Sequence, residues 1–155
     1  MGIEVERKFL VDHKQWEQVE KPAGTHYRQG YILNDKKRTV RVRISDKQAF
    51  LNLKAGRSNL SRHEYEYEIP LNEGIAILDS FTQNGTEKTR YVIPFAGKDW
   101  EVDVFTGDNA GLIVAEIELE SEAEEFEKPA WITEEVTEDS RYTNAALAMH
   151  PFKDW

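Results

Sequence analysis

The chain has 155 residues, 32% of them charged, a net charge of −9 and no cysteine. That length suits one domain, residues 1–155, with a substantial core, and seventeen aromatics (four Trp, six Tyr, seven Phe) argue against disorder. The acidic balance argues against a general nucleic-acid or anionic-membrane surface, and the missing cysteines exclude disulfides and thiolate metal sites.

The opening segment, Glu4-Val5-Glu6-Arg7-Lys8, places Glu4, Glu6 and Lys8 on one face of a strand and Ile3, Val5, Arg7 and Phe9 on the other. Asp12 then caps a short helix over His13 to Val19, which Pro22-Ala23-Gly24 ends. A second strand runs from His26 to about Leu33, with Tyr27, Gln29 and Tyr31 on one face. Asn34-Asp35-Lys36 turns the chain into a third, where Arg41 and Arg43 alternate with Val40, Val42 and Ile44. After a turn at Ser45-Asp46-Lys47 comes a fourth strand, with Leu51 and Leu53 opposite Asn52 and Lys54.

A polar stretch from Gly56 to Ser61 precedes a fifth strand, where Glu64, Glu66 and Glu68 alternate with Tyr65, Tyr67 and Ile69. Pro70 stops it, and Asn72 is placed to cap a helix whose stripe is Ile75, Ile77, Leu78 and Phe81. Asn84-Gly85 closes that helix. Three more strands follow, carrying Lys88 and Arg90, then Glu101 and Asp103, then Glu116, Glu118 and Glu120. The remainder reads as two helical pieces, an acidic one near Glu122 to Lys128 and a second from Ser140 to Ala148. Eight alternating strands joined by short turns predict an antiparallel sheet, sandwich or closed barrel.

Two orientations fit this alternation. The charged faces can be solvated around one apolar core, as in most antiparallel sheets. Alternatively they point into an enclosed, water-filled cavity. The charges favour the second reading because they occupy consecutive same-face positions and are sorted by sign from strand to strand. Grouped carboxylates suit hard divalent ions such as Mg2+ or Mn2+, and grouped Arg and Lys suit phosphate oxygens. A metal-bound polyphosphate needs both. The four histidines, at 13, 26, 63 and 150, are scattered and suggest no metal site, and the acidic run from Ser121 to Glu127 reads as a solvated face.

Glu4-x-Glu6-x-Lys8 resembles the ExExK signature of the CYTH superfamily, the triphosphate tunnel metalloenzymes, and the charge order of the later strands is similar over nearly the whole chain. The segment "DSRYTNAALA" also looks like the closing segment of small bacterial members. The resemblance implies a mainly β fold: an eight-stranded antiparallel β-barrel forming a charged tunnel, with about three helices packed outside and at one end. It implies divalent-metal-dependent hydrolysis of a terminal phosphoanhydride, most favourably of inorganic tripolyphosphate and also of nucleoside triphosphates. An adenylate cyclase, a thiamine triphosphatase and a non-catalytic polyphosphate binder are the alternatives.

Carried over by residue, Glu4, Glu6, Glu116 and Glu118 become the ligands of Mg2+ or Mn2+. Lys8, Arg41, Arg43, Lys54, Lys88 and Arg90 become the phosphate clamp. Glu64, Glu66 and Asp103 bind metal or water, orient the cations, or serve as structural ion-pair partners, and by its strand face Tyr27 either lines the tunnel or packs. The expected partner is a small-molecule triphosphate, with no nucleic acid and no membrane, for a monomer or homodimer. No apolar run approaches the ~20 residues of a bilayer span, so the expected setting is the cytoplasm.

Overall fold

The structure, a computed structural model, describes residues 2–56 and 61–155. Its strands are β1 (Gly2–Val11), β2 (Thr25–Asn34), β3 (Arg38–Ile44), β4 (Ala49–Gly56), β5 (Ser61–Ile69), β6 (Gly85–Phe95), β7 (Lys98–Thr106), β8 (Ile113–Glu118) and β9 (Ile132–Glu135). The helices are α1 (His13–Gln18), α2 (Leu71–Phe81) and α3 (Asn144–Met149). Every pairing is antiparallel, in the order β5-β4-β3-β2-β6-β7-β8-β1, and a further β1–β5 pairing closes the strands into a ring. β1 closes it by dividing its length. Gly2 to Val5 pair with β5, and Glu6 to Leu10 pair with β8 on the opposite edge. The short β9 then continues along the edge that β5 leaves, opposite Phe9 and Val11.

Period-two alternation gives each strand an outer apolar face. Outside β1, β6, β7 and β8, Val5, Phe9, Trp100, Val102, Ala115 and Ile117 form the main core with Trp16 of α1 and Trp131. Edge-to-face contacts link Phe9, Trp100, Phe126 and Trp131. On the opposite wall, α2 lays Leu78 against Val42, Ile44 and Ala49. Gly74 permits that close approach, since a Cβ there would overlap the Ala49 methyl. At one end of the ring the inner face itself turns apolar, and Phe105 and Val114, with Leu10, pack against Leu147 of α3. Between β6 and β7, Ala96 and Gly97 both adopt positive φ, as a two-residue hairpin turn requires. Among the described residues no helix is long and apolar enough to cross a membrane.

Four local expectations need correction. The acidic segment expected to be helical near Glu122 to Lys128 is irregular. It has no apolar stripe; its Phe126 is drawn onto Phe9 and Trp100, and Glu124 is tied to Lys98 and the Glu120 amide. β9, unforeseen, follows it. The expected helix over Ser140 to Ala148 is divided, because Thr143 adopts an extended conformation and its hydroxyl accepts from the Ala146 amide at 3.1 Å to start α3. α2 begins at Leu71, with the Pro70 carbonyl accepting from Gly74, so Asn72 lies in the first turn instead of capping it. Most of the turn expected from Gly56 to Ser61 lies outside the described residues.

Candidate active site

The inner faces of the strands enclose a cavity of about 190 Å³. Among the described residues six cations (Lys8, Arg41, Arg43, Lys54, Arg62 and Arg90) and seven carboxylates (Glu4, Glu6, Glu64, Glu66, Glu101, Glu116 and Glu118) line it. The charged faces therefore point inward, while Val5, Val42 and Ile117 pack outside and Leu53 faces outward.

The carboxylates gather on β1, β5 and β8. Glu6 stands opposite Glu118 and Lys8 opposite Glu116, and Glu4 stands opposite Arg62. Lys8 Nζ lies 3.6 Å from Glu6 and 3.4 Å from Glu116, and Lys54 Nζ lies 3.1 Å from Glu4 and 3.8 Å from Glu64. Burial pushes Glu4 up to about 7 against the pull of Lys54, and Glu6, Glu64 and Glu116 add to the rise. Burial, with Glu64 and Glu6, also raises Glu118. Burial alone would raise Glu6 too, but Lys8 and Lys54 overcome it and hold Glu6 well below the usual carboxylate range.

Among the described residues the buried Glu4 Oε1 has no hydrogen-bond partner despite its ion pair with Lys54. Oxygen donors alone, crowded enough to oppose each other's ionisation, have the chemistry of a hard divalent-cation site. Among the described residues no three of them stand in ready-made coordination, because Lys8 and Lys54 reach in between and supply the positive charge.

The cations fall into a loosely held and a tightly held set. Among the described residues, Arg41 and Arg43 make long ion pairs to Glu66, at 3.9 and 3.6 Å, and the Nε atom of each is buried without a hydrogen-bond partner. Tyr27 lies outside the lining and supports Arg43, whose guanidinium sits 4.6 Å from its ring centre. Arg90, in contrast, is fixed by two bonds to Asp103, at 2.7 and 2.9 Å. Lys88 shares that carboxylate at 2.7 Å and donates to Asn144 at 3.2 Å. Its side chain is wholly buried, so it lies beneath the lining instead of on it, as does Asp103. Desolvation lowers Lys88 to about 8, since one carboxylate serves two cations. Burial disfavours the Asp103 anion as well, but Arg90 and Lys88 hold its pKa below the ordinary value.

Of the residues singled out from the sequence, all but Lys88, Asp103 and Tyr27 line the cavity. Arg62 and Glu101 join them without having been assigned there, although each is in phase with an inward neighbour, Glu64 and Asp103 respectively. Asn52 donates to both Glu64 and Glu66, at 2.9 and 3.0 Å. Thr143, Asn144 and Ala145 reach the cavity from α3 and its cap, which no local pattern signals.

A closed ring of antiparallel strands with opposed carboxylates and cations on its inner face is the architecture under which this chain belongs to the CYTH domain family, whose model matches residues 2–146. A protein of Acetivibrio thermocellus named inorganic triphosphatase is 46% identical over 156 residues, covering 100% of this chain and 99% of that one. One of the same name from Nitrosomonas europaea is 37% identical over 94% of this chain and 97% of its own length. A crystal structure of an inorganic triphosphatase, 34% identical, superposes with a TM-score of 0.66 over 94% of this chain and 97% of that one.

Proposed function

We propose that the protein is a divalent-metal-dependent inorganic triphosphatase that hydrolyses the terminal phosphoanhydride of tripolyphosphate. The observation that carries this reading is the pairing, in one cavity, of a carboxylate wall with two arginines whose Nε donors have no hydrogen-bond partner among the described residues. Arg41 and Arg43 receive the phosphoryl oxygens, because neither gives up a short ion pair to do so. Lys8 and Lys54 turn from their carboxylates toward substrate oxygens, and Arg90, fixed by Asp103, presents a preset charge. Such prepositioned donors stabilise charge on the equatorial oxygens during phosphoryl transfer. Water is the nucleophile of this hydrolysis.

Glu4, Glu6, Glu116 and Glu118 hold the ion, with Glu64 beside them, and their all-oxygen donor set suits Mg2+ or Mn2+. When bound, the ion supplies Lewis-acid charge to the phosphoryl oxygens and acidifies the attacking water. The reading takes residues 1–155 as one catalytic domain acting in the cytoplasm on a small molecule, as monomer or homodimer.

The test is phosphate release from tripolyphosphate, ATP and thiamine triphosphate with Mg2+ and with Mn2+, assaying cyclic AMP in parallel. Tripolyphosphate should be turned over fastest and a chelator should abolish the reaction. Chelator-resistant turnover, or none with either ion, overturns the proposal.

A further inference from the structure

The ring of strands has two ends of different charge. The upper end carries the turns at 45–48 and 96–97, and the lower end those at 35–37 and 107–112. At the upper end carboxylates stand level with or outward of the arginines. Glu101, 43% exposed, stands one inward step above Arg90, itself 13% exposed, while Glu66, 33% exposed, stands level with Arg41 across β4. Glu68, also exposed, lies one inward step further up β5.

At the lower end a second cavity of about 640 Å³ adjoins the first, sharing Lys54 and Arg62 with it. Five cations (Lys36, Lys37, Arg38, Lys54 and Arg62) face two carboxylates there, Asp35 and Glu138. Asp35 is already engaged, accepting from the amides of Lys37 and Arg38 and pairing with the Arg38 guanidinium at 3.1 Å. From this mouth inward a cation stands at every step, with Glu64 level with Lys54 and Glu66 level with Arg41. In the β3–β4–β5 register Arg62, Lys54, Arg41 and Arg43 succeed one another at two-residue steps, each about 6.8 Å along the strand.

We propose that this lower mouth, rimmed by Lys36, Lys37, Arg38 and Arg62, is the entrance through which the triphosphate reaches the cavity, and that the carboxylate-topped upper mouth is not. The inference rests on the triphosphatase reading. A polyanion approaching a protein of net charge −9 is repelled by most of its surface. Charges more than about 8 Å away are largely screened at physiological salt, so the local charge at each opening decides where encounter succeeds. Clefts lined by one sign of charge raise association by roughly 10- to 1,000-fold. Arg62 then serves as the relay from the rim to Lys54.

The test compares two charge-reversal pairs with the same change in net charge. Lys36→Glu/Lys37→Glu alters the lower rim, whereas Lys14→Glu/Lys47→Glu alters exposed residues on α1's first turn and the upper 45–48 turn. At low salt the first pair should lower kcat/KM for tripolyphosphate about tenfold, leave kcat unchanged, and lose its deficit as salt is raised. The second pair should leave all three near wild type. Equal effects of the two pairs overturn the inference while leaving the triphosphatase reading intact. Glu68→Lys raising kcat/KM as much as the first pair was expected to lower it would assign the entrance to the upper mouth instead. Wild-type protein with no tripolyphosphate turnover overturns both readings.

Discussion

Replacing Glu4 with glutamine keeps the shape of the side chain and removes a carboxylate that burial, Glu6, Glu64 and Glu116 push up from 4.5 to about 7 against the attraction of Lys54. Between those values the native protein keeps a proton that the unfolded chain has released. Stability from this group therefore falls as pH rises through that window. At ~1.36 kcal/mol per pH unit, the whole gap corresponds to about 3 kcal/mol. Most of it, about 2–3 kcal/mol, develops between pH 5 and pH 8. Glu4 is 7% exposed, so solvent screens little of this.

Glu4→Gln should thus gain stability relative to wild type as pH rises, reaching about 5–10 °C in Tm by pH 8 at 2–4 °C per kcal/mol. Urea denaturation of both proteins across this range, in chelator, measures the difference. Mg2+ added at pH 8 should stabilise the wild type and not the variant, because binding to the native state alone raises its stability. A difference that stays constant with pH, or that turns toward the wild type at high pH, refutes the account of Glu4.

Arg43→Ala should lower kcat/KM for tripolyphosphate by about two to four orders of magnitude, the value of two charge-assisted hydrogen bonds at ~1.5–3 kcal/mol each. Arg43→Lys should recover only part of that loss, since an ammonium cannot bind in two parallel contacts, and unchanged kinetics in Arg43→Ala would remove the residue from the site. Asp103→Asn leaves Lys88 and Arg90 buried without their shared counter-charge. It should cost about 3–5 kcal/mol in urea denaturation, and a loss below ~1 kcal/mol would show that the cations are carried otherwise. Gly74→Ala forces a methyl onto Ala49 and should cost about 1–3 kcal/mol with the active-site charges untouched, so calorimetry showing wild-type stability would contradict the close α2–β4 contact.

Much of the ring was legible because a strand repeats every two residues. Once Glu4, Glu6 and Lys8 were in phase, the same rule carried through Arg41 and Arg43 to Glu116 and Glu118, and all of them line the cavity. The rule gives direction but not depth. Lys88 and Arg90 are equivalent by alternation, yet Lys88 is wholly buried while Arg90 reaches the lining, because Leu147 of α3 packs on Phe105, the cross-strand neighbour of Lys88. Asn144 meets Lys88 across 56 residues of chain, a contact that depends on how two distant segments pack. β9 was illegible for a related reason. Ile132-Thr133-Glu134-Glu135 is too short and acidic to declare itself, and it becomes a strand only because β1 offers an unpaired edge beside it.

That divided edge of β1 has a consequence for how the protein is made. Glu6 finds its partner, Glu118, 112 residues later in the chain, and Phe9 pairs with Glu135 later still. At ~5–20 residues per second, β1 leaves the ribosome roughly 6–22 s before β8 exists. During that interval β1 can pair with β5 through only its first four residues, and an open sheet edge is exposed. Non-local strand pairing is also slow to form. For that interval the nascent chain carries an open strand edge able to pair with another copy of itself before the ring can close.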